Sequence, residues 1–263
     1  MSEKFQENVT VISQKQIAAG VFDMVLQTKE IAAHARAGQF VSVYSNDASK
    51  LLPRPISLCG IDREAGTLRL VYRVTGEGTG TEEFSKLQAG DTIKIMGPLG
   101  NGFTIEPGKK AFLIGGGIGV PPMLQFAKEM KSSGAAEFQI IMGYRNKETF
   151  LLDEFKEQGE AFAATEDGSV GTKGNVLDAI RALNLNADVI YACGPTPMLR
   201  ALKAYAEEQN MECYVSMEER MACGIGACLA CVCNSTEKDA HSNVKNKRIC
   251  KEGPVFRAKE VEL

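Results

Sequence analysis

The sequence predicts a β + α/β chain in three parts: an antiparallel β domain, a parallel α/β domain and a small C-terminal subdomain. Residues 1–105 hold six short segments rich in Val, Ile, Leu and Tyr, with turn sequences between them. From residue 108, apolar strands and helical segments alternate at steps of roughly 25 to 30 residues, the pattern of a parallel sheet with crossover helices. This alternation ends near residue 211, where a cysteine-rich segment follows.

The first part predicts six strands, which favour an antiparallel barrel or a sandwich. Many of the segments alternate apolar and polar residues, as half-buried strands do. The predicted strands are NVTVISQKQI (8–17), VFDMVLQTK (21–29), GQFVSVYS (38–45), PISLCGID (55–62), TLRLVYRVTG (67–76) and DTIKIMGPLG (91–100).

The second part predicts four strand–helix pairs and a final strand. In the first helix the apolar residues Met123, Phe126, Ala127 and Met130 follow helical spacing, and Gly134 ends it. The pairs are 109–117 with 120–134, 137–145 with 149–158, 161–169 with 175–184, and 187–195 with 196–210, and the final strand lies within 211–221.

Composition excludes several classes of function. The 263 residues carry a net charge of −3 and no long basic run, which argues against a nucleic-acid partner. The longest apolar stretches are short and broken by Gly and Pro, and no signal peptide is expected, so no membrane association is predicted. The eight cysteines are therefore expected to be reduced thiols or metal ligands in the cytoplasm. The two histidines, His34 and His241, lie in no motif, and no hydrolase arrangement stands out.

The segment MACGIGACLACVC (221–233) predicts an iron–sulfur site. Cys223, Cys228 and Cys231 have the C-x4-C-x2-C spacing of plant-type [2Fe–2S] proteins, and Cys250 supplies a distant fourth thiol. The small residues between them allow a tight loop whose N–H groups approach the sulfurs. A structural zinc site and buried free cysteines are the alternatives. Cys233 is the nearer candidate for fourth ligand, but it would crowd the site, so Cys250 is favoured.

Two further stretches predict a flavin site in the β domain. In RPISL (54–58), Arg54 is suited to bidentate bonds with a diphosphate, and Ser57 offers a hydroxyl to the edge of a flavin ring. In VYRVTGEGT (71–79), the glycines and Thr79 form a turn whose N–H groups suit phosphate oxygens. A surface arginine and a plain hairpin turn are the alternatives for these residues.

Two loops of the α/β part predict a nucleotide site. GGGIGVPP (115–122) lacks the third glycine of the usual dinucleotide fingerprint and gives G-x-G-x-x-P instead. Both it and YACGPTPM (191–198) follow strands whose carboxyl ends face ligands in parallel sheets. A tight strand–helix turn is the alternative. The candidate nucleotide contacts are Gly117, Gly119, Pro122, Gly194 and Pro195, with Cys193 facing a nicotinamide or serving as a small buried residue.

These motifs in this order resemble the ferredoxin–NADP reductase superfamily. With MACGIGACLAC and CKEGPVF near the C-terminus, the whole chain resembles the family of electron-transfer subunits of class B dihydroorotate dehydrogenases. The resemblance implies an FAD-binding β-barrel over 1–105, an NAD-binding α/β domain over 106–210 and a [2Fe–2S] subdomain over 211–263. It implies that FAD is held by Arg54, Pro55, Ile56, Ser57, Val71, Tyr72, Arg73, Gly78 and Thr79, and the cluster by Cys223, Cys228, Cys231 and Cys250. The superfamily often has Tyr where Ile56 stands, so the flavin ring needs different support here.

The resemblance also implies a partner and a pathway. An FMN-containing catalytic subunit would oxidise dihydroorotate in pyrimidine biosynthesis, in an assembly of two copies of each subunit, and this chain would pass the electrons to NAD⁺. The apolar residues Met221, Ile225 and Leu229 are the candidates for the partner surface. The alternatives are a reductase that serves ferredoxin, an oxygenase or glutamate synthase, and a zinc-binding sensor.

Three further residues each have two alternative roles or specificities. Glu218, beside Glu219, is a candidate to approach the flavin or nicotinamide and is otherwise a solvated charge. Phe256 is expected either at the cofactors or in the core. Arg145 has the charge to contact a 2′-phosphate, so the residues alone leave NAD and NADP open.

Overall fold

The computed structural model describes residues 3–238 and 243–263, and His241 lies outside them. The chain divides into two units. The first contains Met1–Gly102, Glu218–Val232 and Arg248–Pro254, and the second contains Phe103–Met217, Cys233–Lys247 and Val255–Leu263. The C-terminal residues that follow the α/β pattern are therefore shared between the units.

Six antiparallel strands of the first unit form a closed barrel in the order β1-β2-β5-β4-β3-β6. The barrel is thus confirmed, and each of the six predicted strands is present. The strands are β1 (Phe5–Ala18), β2 (Val21–Gln27), β3 (Phe40–Tyr44), β4 (Arg54–Asp62), β5 (Thr67–Arg73) and β6 (Thr92–Leu99). Register shifts between Phe40 and Ser42 and between Leu58 and Gly60 give the local bends that closure needs.

Alternation along the strands fills the barrel. On β3, Val41 and Val43 belong to the buried core, while Ser42 and Tyr44 alternate with them. The barrel domain also contains two short helices that the sequence did not predict, α1 (Ile31–His34) and α2 (Gly80–Phe84). Phe84 of α2 completes the core, so its burial, rather than helix propensity, holds this single turn in place.

Residues 251–254, which follow Cys250, are anchored to the barrel directly after β6. The N–H of Asn101 donates to the Gly253 carbonyl at 2.6 Å, and the Asn101 side chain donates to the carbonyls of Lys251 and Glu252. Gly100 has φ +72, and a Cβ on it would lie 2.5 Å from Pro254. The close approach of these two stretches therefore requires glycine at position 100.

The second unit is built on a seven-stranded sheet with the order β10-β9-β8-β7-β11-β12-β15. Its strands are β7 (Ala111–Gly116), β8 (Phe138–Tyr144), β9 (Glu160–Thr165), β10 (Thr172–Lys173), β11 (Val189–Cys193), β12 (Glu212–Ser216) and β15 (Val255–Arg257). Only β15 runs antiparallel to its neighbour. The predicted parallel α/β domain is confirmed, while β10 and β15 were not predicted. Two further short strands, β13 (Val232–Asn234) and β14 (Asn246–Arg248), pair with each other.

Four helices connect the parallel strands, as predicted. They are α3 (Val120–Ser133), α4 (Leu152–Lys156), α5 (Val176–Ala182) and α6 (Thr196–Glu208). Gly134 ends α3 in the left-handed conformation, and Asn175 begins α5 with a capping box to Asp178. Helix α4 is shorter than predicted because Leu151, at φ +66, interrupts the helical backbone before it begins. Within the described ranges, no helix has the length and apolar character needed to cross a membrane.

Candidate functional site

The four predicted cluster ligands all lie in the first unit. Cys228 is exposed and Cys223 half-buried, whereas Cys231 and Cys250 are buried. The N–H of Cys250 donates to Cys231 Sγ at 3.4 Å, and the N–H of Ile249 donates to the Cys231 carbonyl. The fold therefore brings the distant Cys250 to Cys231, across 19 positions of sequence.

Cys233 has a different environment from these four cysteines. It belongs to the second unit, and its thiol lies 3.5 Å from the Lys247 carbonyl, to which it donates. All eight cysteines are free of disulfides. That Cys233 is not a ligand remains a prediction.

Glycines at two positions shape the cysteine loop. Gly224 and Gly226 have φ of +68 and +87, a region that favours glycine. A Cβ on Gly224 would lie 2.9 Å from Ser42 Oγ and 3.2 Å from Leu99, so the loop lies directly on the barrel at this point. The guanidinium of Arg248 donates to the Gly226 carbonyl at 2.9 Å and pairs with Glu252, which holds the loop's other edge.

The electrostatics of the loop favour bound positive charge. Burial tends to raise the pKa of Cys223, but N–H groups of Ile225 and Cys228 outweigh it and lower that pKa to about 6. Burial and the adjacent Cys231 raise the pKa of Cys250 to about 12. At neutral pH Cys223 is therefore a thiolate and Cys250 a neutral thiol, and a bound positive group such as the irons of a cluster would let Cys250 ionise as well.

The donor set fits a [2Fe–2S] cluster. Such a cluster takes four thiolates, two at each iron, and gains from N–H groups aimed at sulfur. The N–H groups of Ala227 and Cys250 already point at Cys223 and Cys231 Sγ, at 3.3 and 3.4 Å. Among residues 3–238 and 243–263, no three His, Cys, Asp or Glu side chains converge on one metal-ion position.

The candidate flavin residues lie on β4, β5 and the turn after them. Arg54 is half-buried, and its guanidinium would lie 3.3 Å from a Cβ on Gly80. It therefore sits directly beside the turn that includes Gly78 and Thr79. Nη1 of Arg54 donates to the Leu52 carbonyl at 2.5 Å, which leaves its other N–H groups for an anion.

The other flavin candidates separate into core residues and residues near the surface. Ile56, Val71 and Tyr72 are buried. Ile56 and Tyr72 belong to the barrel core, and the Tyr72 hydroxyl donates to Gln14 at 2.8 Å. Pro55 and Ser57 are half-buried, and Arg73 is exposed. The core residues therefore offer a flavin their backbone more readily than their side chains.

The turn before α2 has the shape of an anion cradle. Gly76 and Gly78 have φ of +146 and +73, and a Cβ on Gly78 would meet no atom of the described chain within 4 Å. Thr79 caps α2 and accepts from the N–H of Glu82. The N–H of Gly78 donates to the Glu82 carboxylate at 2.6 Å, so a negative group already occupies this donor. These residues fit a diphosphate, provided that Glu82 moves aside.

The two candidate nucleotide loops of the second unit interlock at their glycines. A Cβ on Gly119 would lie 2.4 Å from the Cys193 carbonyl oxygen, and one on Gly194 would lie 2.4 Å from Met198. These two positions need glycine for packing between the loops. Gly117 is different, because it has φ +54 and a Cβ there would meet no described atom within 4 Å. Gly117 therefore marks the open face where a nucleotide can approach the backbone.

Prolines flank both helix starts at this edge of the sheet. Pro121 and Pro122 lie in the first turn of α3, where Pro122 is buried, and Pro195 precedes α6. Proline suits a first helical turn because N–H groups there have no intrahelical acceptor, so no hydrogen bond is lost. The first turn of α3 therefore offers few N–H groups of its own, and the glycine loop supplies the backbone face for a nucleotide.

The two candidate catalytic residues lie in different surroundings. Cys193 is buried at the carboxyl end of β11, beside the glycine loop. Glu218 is exposed, yet surrounding protein atoms and the carboxylate of Glu219 raise its pKa. Phe256 is buried in β15 opposite Val215, which is a core position. Arg145 is exposed after β8.

The candidate partner surface needs one correction. Met221 is only 7% exposed, so it is a packing residue and not part of an open apolar surface. Ile225 and Leu229 are 43% and 57% exposed, and Val232, which was not predicted, is 38% exposed. The segment MACGIGACLACV alone does not reveal this difference, because the backbone turn at Gly224 decides which side chain faces the barrel.

Sequence reasoning also missed Ser42 and Glu82. Ser42 lies within a predicted strand, and its place beneath Gly224 depends on a contact between distant segments. Glu82 lies four residues after Gly78 of the glycine-rich turn. This spacing is only a weak local signal for a carboxylate that accepts a hydrogen bond from the turn.

Barrel, parallel sheet and cysteine loop together define an oxidoreductase with an FAD-binding domain, an NAD-binding domain and an iron–sulfur domain. Three family models match the chain: an oxidoreductase FAD-binding domain at 8–103, an oxidoreductase NAD-binding domain at 113–204, and the iron–sulfur cluster binding domain of dihydroorotate dehydrogenase B at 218–262. The cofactor set of FAD, NAD and a cluster is thereby confirmed.

Related proteins match this chain over nearly its full length. The electron transfer subunit of dihydroorotate dehydrogenase B (NAD(+)) from Listeria monocytogenes serovar 1/2a is 46% identical over 262 residues, which are 98% of this chain and 99% of the relative. The corresponding subunit from Bacillus caldolyticus is 45% identical over 264 residues, with the same coverage. The chain belongs to the family of dihydroorotate dehydrogenase B electron transfer subunits.

Solved structures show the same fold. An NADH-dependent reduced ferredoxin-NADP oxidoreductase, described for flavin-based electron bifurcation, is 32% identical with a TM-score of 0.86 and covers 97% of this chain and 90% of its own. A ferredoxin NADP⁺ reductase from Neisseria gonorrhoeae with bound FAD and NADP has a TM-score of 0.65 at 16% identity, and it covers 82% of this chain and 95% of its own. The second likeness concerns the fold alone.

Proposed function

We propose that this chain carries electrons, through a [2Fe–2S] cluster and FAD, from an FMN-containing dihydroorotate dehydrogenase subunit to NAD⁺. One observation carries the proposal: Cys223, Cys228, Cys231 and Cys250 belong to the same compact unit as the barrel with Arg54 and the Gly78 turn. The relatives named as electron transfer subunits of an NAD(+)-linked enzyme support this direction.

The overall reaction balances across the two subunits. Dihydroorotate would lose two electrons and two protons to become orotate, and NAD⁺ would take two electrons and one proton as a hydride while the other proton goes to solvent. A bound cluster carries single electrons and a bound flavin exchanges either one or two, so the pair converts between the two kinds of transfer.

The residues of this chain bind and orient in that scheme. Arg54 neutralises the FAD diphosphate beside the Gly78–Thr79 turn, and Ser57 directs its hydroxyl at the flavin edge. Gly117 lets the nucleotide approach the backbone, while Gly119 and Gly194 keep the two loops in contact. Cys193 and Glu218 remain our candidates for contact with the reacting rings.

Two arguments support the four cysteines as cluster ligands: the spacing of the first three in the sequence, and the position of all four in one compact unit. The domain division also stays a proposal: FAD binding in 1–105, NAD binding in 106–210 and cluster binding in 211–263. The FMN cofactor of the partner, the assembly of two copies of each subunit, and a cytoplasmic location for pyrimidine biosynthesis belong to the same proposal. None of the eight cysteines forms a disulfide, which is consistent with a reducing compartment.

Reconstitution tests the function. The chain, mixed anaerobically with the FMN subunit, should couple dihydroorotate oxidation to NADH formation, and neither subunit alone should do so. Cys250→Ser should abolish the coupled reaction but leave NADH oxidation by artificial dyes, because dyes accept electrons from the flavin. Coupled turnover that persists without iron would contradict the route through the cluster.

One substitution tests the role of Cys193. If the side chain faces the nicotinamide, Cys193→Ala should slow the reduction of FAD by NADH in stopped-flow measurements. Cys213→Ala is a matched control, since Cys213 is also buried, on the neighbouring strand β12. An unchanged rate in Cys193→Ala would remove Cys193 from the site.

A second function has one observation in its favour. The solved oxidoreductase with a TM-score of 0.86 is named for NADH, NADP and reduced ferredoxin, and not for dihydroorotate. A subunit that serves ferredoxin would use the same cofactors with another partner. Rapid NADH-dependent reduction of ferredoxin, without any stable complex with the FMN subunit, would favour that reading.

A further inference from the structure

We propose that Ser42 donates a hydrogen bond from its hydroxyl to sulfur of the cluster on the Cys223 side and thereby raises the cluster's reduction potential. The inference rests on the proposed cluster site. It concerns a barrel residue, 181 positions before the first cysteine of the loop, that no motif marks.

The first observation is an orphaned polar atom. Ser42 is 0% exposed, and its Oγ has no hydrogen-bond partner within the part of the chain that the structure describes. A buried hydroxyl without a partner destabilises a protein, so native structures rarely keep one. A group that binds at this position would satisfy it.

The second observation gives the direction of that hydroxyl. Ser42 alternates with the core residues Val41 and Val43 on β3, so its side chain leaves the barrel core and meets the cysteine loop. A Cβ on Gly224 would lie 2.9 Å from Ser42 Oγ, and Gly224 is bonded to Cys223. Glycine at 224 therefore places no side chain of its own above the hydroxyl.

Neighbours on the same face agree with this placement. Met96 and Leu99 of β6 lie beneath Gly224 together with Ser42. Tyr44, two residues along β3, has its pKa raised by burial and then by the negative charge of the Cys223 thiolate. The Tyr44 hydroxyl already faces Met96 Sδ at 3.9 Å, whereas the Ser42 hydroxyl is left for the cluster.

A donor at this position has a definite effect. Reduction adds one negative charge to a cluster that is already anionic, so a hydrogen bond to its sulfur stabilises the reduced form more than the oxidised form. Loss of the bond should lower the reduction potential. A residue that only fills space would leave the potential unchanged.

The test is an EPR-monitored redox titration of the iron-loaded chain in wild type, Ser42→Ala, Ser42→Cys and Ser13→Ala. Ser13 is an exposed serine of the same barrel and serves as the control. Ser42→Ala should reduce the ratio of reduced to oxidised cluster about tenfold at a fixed ambient potential, a midpoint about 59 mV lower for one electron. Ser42→Cys, a weaker donor, should fall between, and Ser13→Ala should match wild type.

The stability of the iron-free chain gives a second readout, because the proposed role and a purely structural role of Ser42 predict opposite effects of Ser42→Ala on it. Ser42→Ala removes an unsatisfied hydroxyl, so iron-free Ser42→Ala should unfold at the same or a higher urea concentration than wild type. A structural serine would instead make the iron-free alanine variant less stable.

Each outcome decides between the proposals. Wild-type chain without iron would overturn the cluster site itself. A Ser42→Ala cluster with the wild-type potential would overturn the role of Ser42 alone. If Ser42→Ala retains no cluster, the comparison of Ser42→Cys with wild type decides, and equal potentials there would also overturn it.

Discussion

The backbone N–H of Gly78 donates a hydrogen bond of 2.6 Å to the carboxylate of Glu82. This carboxylate occupies the donor that we assign to the FAD diphosphate. Glu83, the next residue, binds a different segment. Its carboxylate accepts hydrogen bonds from the N–H of Asn46 and from the side chains of Ser45 and Lys50, in the loop before Arg54. The two adjacent glutamates therefore bind different segments: Glu82 binds the Gly78 turn, and Glu83 binds the loop before Arg54.

Glu82→Gln should tighten FAD binding severalfold, because the diphosphate would no longer compete with a charged side chain for Gly78. The hydrogen bonds from Lys86 and Gly78 lower the pKa of Glu82, so its carboxylate stays charged in mild acid. Added salt, rather than acid, should therefore weaken the repulsion between this carboxylate and the FAD diphosphate. Titration of the flavin-free chain with FAD, followed by flavin fluorescence, measures the change.

Glu83→Gln is the matched control for that experiment. It loosens the loop that leads to Arg54 and should weaken FAD binding. If Glu82→Gln binds FAD no more tightly than wild type does, Glu82 does not occupy the diphosphate position.

Cys250→Ser should lose the cluster, and Cys233→Ser should keep it. The N–H of Cys250 donates to Cys231 Sγ, whereas the thiol of Cys233 faces the Lys247 carbonyl in the other unit. Iron and sulfide content after anaerobic purification, with the visible spectrum, distinguishes the two variants. The reverse pattern would make Cys233 the fourth ligand.

Gly224→Ala should reduce both stability and iron content. The residue has φ +68, and the added methyl would lie 2.9 Å from Ser42 Oγ and 3.2 Å from Leu99. Gly20→Ala is the control, since Gly20 has φ +67 but open space around its Cα. Strain at positive φ costs about 1 kcal/mol in either variant, and the contact with the barrel adds about 1–3 kcal/mol in Gly224→Ala.

Urea unfolding of the iron-free variants measures this difference. If Gly224→Ala and Gly20→Ala lose the same stability and both retain iron, the loop does not lie on the barrel as described.

Ile225→Glu with Leu229→Glu should weaken binding of the proposed FMN-containing partner subunit by at least tenfold. Both side chains are exposed apolar groups beside the proposed cluster ligands, and burial of a charge in an apolar interface is unfavourable. Leu183→Glu, at an exposed leucine after α5, is the control. Analytical ultracentrifugation of the mixed subunits measures assembly, and the iron content of the variant must match wild type.

Normal assembly of the doubly substituted chain would place the partner elsewhere. Met221→Glu is unsuitable for this purpose, because the buried side chain would disturb the loop itself.

Local sequence patterns were sufficient for the regular elements. The six barrel strands and four crossover helices follow from alternation, helical spacing and signals such as Asn175 and Gly134. Short elements held by distant contacts were missed. Helix α2 depends on the burial of Phe84 in the barrel, and β15 depends on pairing with β12, so neither has a strong signal of its own.

The site was predictable where spacing encodes chemistry. The spacing of Cys223, Cys228 and Cys231 predicts a cluster, and the matching iron–sulfur cluster binding domain at 218–262 confirms it, while the assignment of the ligands stays a prediction. The roles of Ser42, Met221 and Gly119 were not accessible, because each depends on which segments the fold brings together: Gly224 onto Ser42, and the Cys193 carbonyl onto Gly119. Exposure along the cysteine loop was equally hidden, since positive φ at Gly224, Gly226 and Leu229 breaks any simple alternation.

The most direct measurement is the cofactor content of the anaerobically purified chain, from its visible spectrum with iron, sulfide and zinc assayed. We expect one FAD, two irons and two sulfides per chain, without zinc, because four thiolates at this spacing hold a [2Fe–2S] cluster beside a flavin. Flavin with zinc and no iron would contradict the proposed electron route and leave the cysteine loop a structural role.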